Sequence, residues 1–185
     1  MLNQELIIQG CIDGDRRCQQ SLYEHFYGKM MVVCMRYAKD QDEALDMFQE
    51  AFIKVFKNLH KFGDKGSFEG WVRRIMVNTS IDHIRKNKKH NQMVELDDVH
   101  GSIQVEEDES DALLENVNFQ DMLLLVQKLS PAYKSVFNLY IVDGYTHKEI
   151  ADLLEISVGT SKSNLAKAKM NLRKLLNKKL ERMAG

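Results

Sequence analysis

The stretch from Thr146 to Arg173, THKEIADLLEISVGTSKSNLAKAKMNLR, decides how this chain is read. Thr146-His147-Lys148-Glu149 is a capping box, a hydroxyl three residues ahead of a carboxylate, each able to satisfy an orphan amide of a helix start. Ile150, Ala151, Leu153 and Leu154 then give a short helix its apolar side. Glu155-Ile156-Ser157 is a tight break. From Val158 to about Lys179 the spacing predicts a second helix with Leu165, Ala168, Leu172, Leu175 and Leu176 turned inward. Its outward side carries Thr160, Lys162, Ser163, Asn164, Ala166, Lys167 and Lys169. Small polar and basic residues let a backbone approach a major groove about 12 Å wide. Lysines and hydroxyls bond phosphates, Asn164 suits an adenine edge, and Lys162 or Lys167 suits a guanine edge. A helical hairpin with a solvated basic face satisfies the same pattern, so on this stretch alone both readings stand.

Upstream, Ser130-Pro131 restarts the chain as an N-cap with proline at the first helical position. Val136, Phe137, Leu139 and Tyr140 are expected on the buried side of that helix, and Asp143-Gly144 ends it. A further helix is expected from Asp111 to Lys128. The N-terminal half repeats the helical logic. Leu22, Phe26, Met30, Val33 and Tyr37 recur at spacings of three and four. Asp40-Gln41-Asp42-Glu43 resembles a capping box, and Ala44, Met47, Phe48, Ala51, Phe52, Val55, Phe56 and Leu59 then keep the 3.6-residue period. The opposite face of that helix carries Asp46, Gln49, Glu50, Lys54 and Lys57. A loop with Gly63 and Gly66 follows, and Ser67 is placed to cap a helix in which Trp71 and Ile75, and Val72 and Met76, form two apolar rows. Arg73, Arg74, Asn78, Asp82 and Arg85 lie at other angles, and Arg85 to His90 is a basic tip that includes Lys86. Trp71 fits both a stacking platform and a core position, the latter being the commoner use of such a spacing.

The formal net charge of −1 over 185 residues conceals a strong segregation. Residues 1–89 carry a net +3, residues 90–127 a net −10 with no lysine or arginine, and residues 128–185 a net +6. Two basic blocks flank an acidic segment, a pattern that points to an anionic partner more firmly than the total does. Residues 91–110 hold Gly101, many acids and no sustained period, and are expected to be a flexible acidic linker, which reads equally as a solvated spacer or as a transient mask for the basic blocks.

Composition narrows the function classes. Hydrophobic residues at 44% and charged residues at 29% describe a soluble globular chain. One proline and ten glycines argue against a many-turned β protein, so the fold class expected is all-α. No apolar run is long enough to cross a bilayer and no basic-then-apolar start is visible, so no membrane insertion and a cytoplasmic location are expected. Cys11, Cys18 and Cys34 form no CxxC pair and read as small buried residues, with a redox-sensing Cys11–Cys18 pair the sharper alternative. There is no GxxxxGK[ST] and no HExxH, and the six histidines are dispersed, so no enzyme activity, cofactor or metal is expected.

The segment LSPAYKSVFNLYIVDGYTHKEIADLLEISVGTSKSNLAKAKMNLRKLL (129–176) resembles the promoter-reading domain of bacterial RNA polymerase sigma factors, most narrowly the extracytoplasmic-function, or group IV, family. Independently, DEALDMFQEAFIKVFKNLHKF (42–62) resembles the helix with which these factors grip the polymerase, and GSFEGWVRRIMVNTSIDHIRKNKK (66–89) resembles their minus-ten reading helix. The resemblance implies two small helical domains, an N-terminal bundle at 1–90 and a C-terminal helix-turn-helix at 111–185, joined by the linker at 91–110. It implies a transcription initiation factor whose partners are core RNA polymerase, promoter DNA and an anti-sigma factor.

By the same resemblance Asp46, Gln49 and Glu50 meet the polymerase clamp. Arg73, Arg74, Asn78, Asp82, Arg85 and Lys86 meet the minus-ten element, and the loop from Gly63 to Ser67 captures a flipped base. Thr160, Lys162, Ser163, Asn164 and Lys167 face minus-thirty-five duplex. Three positions depart from the family pattern: Ser161 stands where an aliphatic residue is usual, Asn164 where arginine is, and Glu155 where glycine is. Glu155 is therefore expected to adopt a turn geometry that glycine takes more easily. A stand-alone helix-turn-helix regulator, with the N-terminal block as a dimerisation module, is the alternative reading.

Overall fold

The computed structural model describes residues 4–63, 66–91 and 119–184, and no strand occurs among them. Asn91, the first residue of the expected linker at 91–110, is the last of a helix; the rest of that linker and the start of the helix expected at Asp111 lie outside the described residues. The chain divides into two compact units, Met1–His83 and Ile84–Gly185.

In the first unit α1 (Gln4–Ile12) packs on α2 (Arg16–Met35), and α2 on α3 (Gln41–Asn58). A 3-10 turn (Leu59–Lys61) closes α3, and α4 (Phe68–Asn91) begins beyond the glycine loop, its residues from Ile84 on, Arg85 and Lys86 among them, belonging to the second unit. Asp15 caps α2, accepting from the amides of Arg17 at 2.7 Å and Cys18 at 3.4 Å. Helices α1 and α2 come close because position 10 is glycine, since a Cβ there would lie 2.4 Å from Cys18 Sγ. The capping box before α3 forms with a displaced return bond. Asp40 accepts from the Glu43 amide at 2.8 Å, whereas Glu43 accepts from the amide of Lys39 at 2.6 Å.

The core follows from the period of α2 and α3. Leu22, Phe26, Met30, Val33 and Tyr37 are buried, as are Ala44, Met47, Phe48, Ala51, Phe52, Val55 and Leu59. Phe48 and Phe52 meet at 5.0 Å, with Tyr23 edge-on to both at 5.2 and 5.1 Å. Each such ring contributes about 1.5–3 kcal/mol through burial. Helix α4 buries Phe68, Val72, Met76, Val77 and Ile81. Of its two expected apolar rows only the Val72 row is core. Trp71 and Ile75 are half-buried, and Trp71 rests on Phe62 at 5.6 Å and Phe68 at 5.7 Å. Burial pushes the thiols of Cys11 and Cys34 up to about 11, leaving both protonated and unreactive at neutral pH.

The second unit contains α5 (Phe119–Val126), α6 (Pro131–Phe137), a π turn (Asn138–Val142), α7 (His147–Leu154) and α8 (Val158–Ala184). Helix α8 packs against α5, α6 and α7. Pro131 opens α6, but the Ser130 side chain makes no capping bond. The π turn, in which the Asp143 amide reaches back to the Asn138 carbonyl at 3.0 Å, rotates Tyr140 outward. Tyr140 is therefore 39% exposed rather than buried as its spacing suggests. Gly144, at φ +73°, turns the chain into α7. Leu165, Ala168, Leu172 and Leu176 are buried as the period predicts, while Leu153, Leu154 and Leu175 are half-buried.

Candidate nucleic-acid interface

In the second unit the helix-turn-helix forms with its geometry fixed at both ends of α7. Thr146 accepts from the Glu149 amide at 3.3 Å, and the Glu149 carboxylate accepts from the Thr146 amide at 2.8 Å. At the other end Glu155 stands at φ 55°, ψ 45°, the only non-glycine residue with positive φ among the described residues. The departure from glycine thus places a side chain in the left-handed region, at a cost of about 1–2 kcal/mol. Ser157 starts α8 by accepting from the Thr160 amide at 2.9 Å. Sequence reading assigned Ser157 to the break. Its signal was available, a serine three residues before Thr160 and directly ahead of the helix.

Along α8, Lys162 is exposed, and Thr160, Ser163, Asn164 and Lys167 are half-buried. Two hydroxyls are already engaged: Thr160 Oγ1 lies 2.8 Å from Ser157 Oγ, and Ser163 donates to the Thr160 carbonyl at 3.1 Å. Ser161, between them, is fully buried, with its hydroxyl 2.9 Å from His147 Nδ1. Neither His147 nor Ser161 was singled out by sequence reading as a pair, because partners fourteen residues apart on two helices leave no periodic signal.

In the first unit Asp46 and Gln49 are exposed on α3 and Glu50 is half-buried. Lys54, a residue sequence reading left as surface, bridges α3 and α4: its ammonium is 3.1 Å from Glu50 and 3.5 Å from Asp82. At 3.6 residues per turn, Arg74, Asn78, Asp82 and Arg85 fall within a sector of roughly 80° on α4, while Arg73 lies about 100° from Arg74. Arg73 instead helps Lys29 lower the carboxyl of Glu69, whose main cause is a 2.7 Å hydrogen bond from Lys29. Arg74 and Lys86 are exposed, and Arg73, Asn78, Asp82 and Arg85 are half-buried. Asn78 Oδ1 is turned inward and buried with no hydrogen-bond partner among the described residues. Ser67, after the glycine loop, accepts from the Gly70 amide at 3.0 Å and so sets where α4 begins.

Among the described residues no helix is long and apolar enough to cross a membrane, and no cluster of three His, Cys, Asp or Glu is placed to hold a metal ion. The second unit thus presents a helix-turn-helix, and α3 and α4 carry a mixed acidic and basic face.

Comparison with known proteins bears on both units. Residues 22–90 match the family described as Sigma-70 region 2, and residues 119–172 match Sigma-70, region 4. The chain is 29% identical over 170 residues to ECF RNA polymerase sigma factor SigW of Bacillus subtilis, covering 88% of this chain and 91% of that one. It is 25% identical over 179 residues to the ECF RNA polymerase sigma-E factor of Escherichia coli K12, covering 91% of each. Its fold is similar to that of the sigma factor RpoE of Bartonella quintana, solved with the anti-sigma factor NepR, at a TM-score of 0.52 and 18% identity. That alignment covers 85% of this chain and 96% of RpoE.

Proposed function

The chain belongs to the extracytoplasmic-function group of the sigma-70 family, a non-enzymatic promoter-specificity factor for RNA polymerase, and on that premise we propose which of its residues do the work. Residues 1–90 form the polymerase-docking and minus-ten domain, 91–110 an acidic tether, and 111–185 the minus-thirty-five domain. Asp46, Gln49 and Glu50 on α3 meet the polymerase clamp. Arg74, Asn78, Asp82, Arg85 and Lys86 face the opened minus-ten strand, with Arg73 at the edge of that surface. In the C-terminal domain Lys162, Asn164 and Lys167 contact minus-thirty-five DNA. Ser163 already donates its hydroxyl proton to the Thr160 carbonyl and reaches a phosphate only by exchanging that bond, whereas Thr160 Oγ1 can accept from Ser157 Oγ and donate its own proton to a phosphate.

The observation that carries this reading is the order of the two matched regions on one chain, each with a polar face where its partner would sit. A stand-alone helix-turn-helix regulator leaves the match over residues 22–90 without a role. Opening of the duplex is driven by binding. Phosphate contacts supply most of the affinity and its salt dependence, and base contacts add about 1–3 kcal/mol each of discrimination. A factor working on the polymerase acts in the cytoplasm, and that is the location proposed for this chain. An anti-sigma factor, the kind of partner with which RpoE was solved, is the expected regulator.

The test is co-purification with core polymerase followed by transcription from a promoter panel. Association, with start-site choice changed by the chain, is the expected result. Charge reversal at Asp46 and Glu50 together should abolish association while leaving the fold intact. Retained association in that variant would remove the docking assignment.

A further inference from the structure

Ser161 is 0% exposed on the helix that faces DNA, at a position where an aliphatic residue would pack without obligation. A buried hydroxyl costs about 1–3 kcal/mol unless it is hydrogen-bonded. Here the bond is to His147, the first residue of α7, at 2.9 Å. The imidazole is itself held, since Tyr140 of the π turn stacks on it at 4.4 Å and 20°. Hydrogen bonds are directional where methyl contacts are not. This one therefore fixes the angle of Ser161 about the axis of α8, and with it the angles of Thr160, Lys162, Ser163 and Asn164. A rotation of about 15° at a side-chain radius near 6 Å moves a polar tip by about 1.5 Å, enough to break a base contact.

Resting on the minus-thirty-five reading given above, we propose that the His147–Ser161 pair sets the rotational position of α8 in the groove, making His147 a positioning residue for promoter discrimination. Among the described residues, Lys162 of α8 is the charge that acts on the ring, and on α7 itself Glu149 is engaged with Thr146. Burial, reinforced by Lys162, lowers the imidazole below its usual 6.5, so the folded domain favours the neutral ring.

The experiment uses full-length chain bound to core polymerase and a promoter fragment randomised at the minus-thirty-five positions, reading the enrichment of the favoured base at each position. Ser161→Val, which matches the shape of the rescue variant Ser161→Thr, and His147→Phe, which keeps the ring stacking, each remove the bond and should lower that enrichment about fivefold, within the span of one lost base contact. The double variant should be no worse than either single one. His147→Asn, which places an amide near the Nδ1 position, and Ser161→Thr should retain most of the enrichment. Additive losses, or uniform weakening on every sequence with the enrichment profile unchanged, would show a merely structural pair and overturn the proposal. A wild type that selects no minus-thirty-five base at all would instead sink the underlying assignment, and the pair with it.

Discussion

Glu50 of α3 and Asp82 of α4 share the ammonium of Lys54, at 3.1 and 3.5 Å. One cation therefore joins a residue assigned to the polymerase with a residue assigned to the minus-ten strand. Lys54→Met should leave thermal stability nearly unchanged, because ion pairs this exposed contribute about 0–1 kcal/mol. It leaves Asp82 less compensated beside DNA phosphates, so affinity of the polymerase-bound chain for a labelled minus-ten oligonucleotide should fall about two- to fivefold. Asp82→Asn in the same chain should restore it. An affinity unmoved by Lys54→Met would mean that the bridge plays no part in strand binding.

Asn78 keeps its buried Oδ1 without a partner among the described residues, so Asn78→Ala removes a group that contributes little to folding. Its effect should appear in transcription instead. Activity should drop about tenfold on promoters bearing the base it reads, and much less when that minus-ten position is changed. Equal loss across the panel counts against an edge-reading role.

Glu155 holds a left-handed conformation that glycine adopts freely. Glu155→Gly should raise the unfolding free energy by about 1 kcal/mol, seen as a higher denaturant midpoint with an unchanged slope. A lower midpoint would show that the side chain contributes more than the backbone strain costs.

Lys167 is assigned to minus-thirty-five duplex from a half-buried position on α8. Lys167→Ala should weaken binding to minus-thirty-five fragments and reduce the slope of log affinity against log salt by about 1 if its contact is a phosphate. A slope unchanged with altered base preference would move it to the base-reading set.

Much of this architecture is legible in the chain because helices declare themselves through period and caps. The Thr146 box and most of the buried sets of α2, α3 and α8 follow directly from spacing, with Phe56 and Leu175 only half-buried, whereas the left-handed turn at Glu155 is expected only through the resemblance, which has glycine there. Three kinds of feature escape that logic. Tyr140 leaves the buried face because a π turn inserts one residue into the register, which a period of 3.6 does not anticipate. Trp71 and Ile75 occupy an apolar row that only half meets the core. Pairings between separate helices, Lys54 with Asp82 and His147 with Ser161, depend on where tertiary packing brings two surfaces together. The roles proposed for Asp46, Gln49 and Glu50 are readable only through resemblance, since an exposed polar helix face by itself names no partner.

Helix α7 is only eight residues long, yet both of its ends are closed by the chain itself, through the reciprocal Thr146–Glu149 bonds and the reversal at Glu155. A segment this short would fray in isolation. Sealed as it is, it meets the double helix already in shape. The ordering entropy is lost during folding and not at encounter, so promoters can be ranked by the fit of their contacts alone.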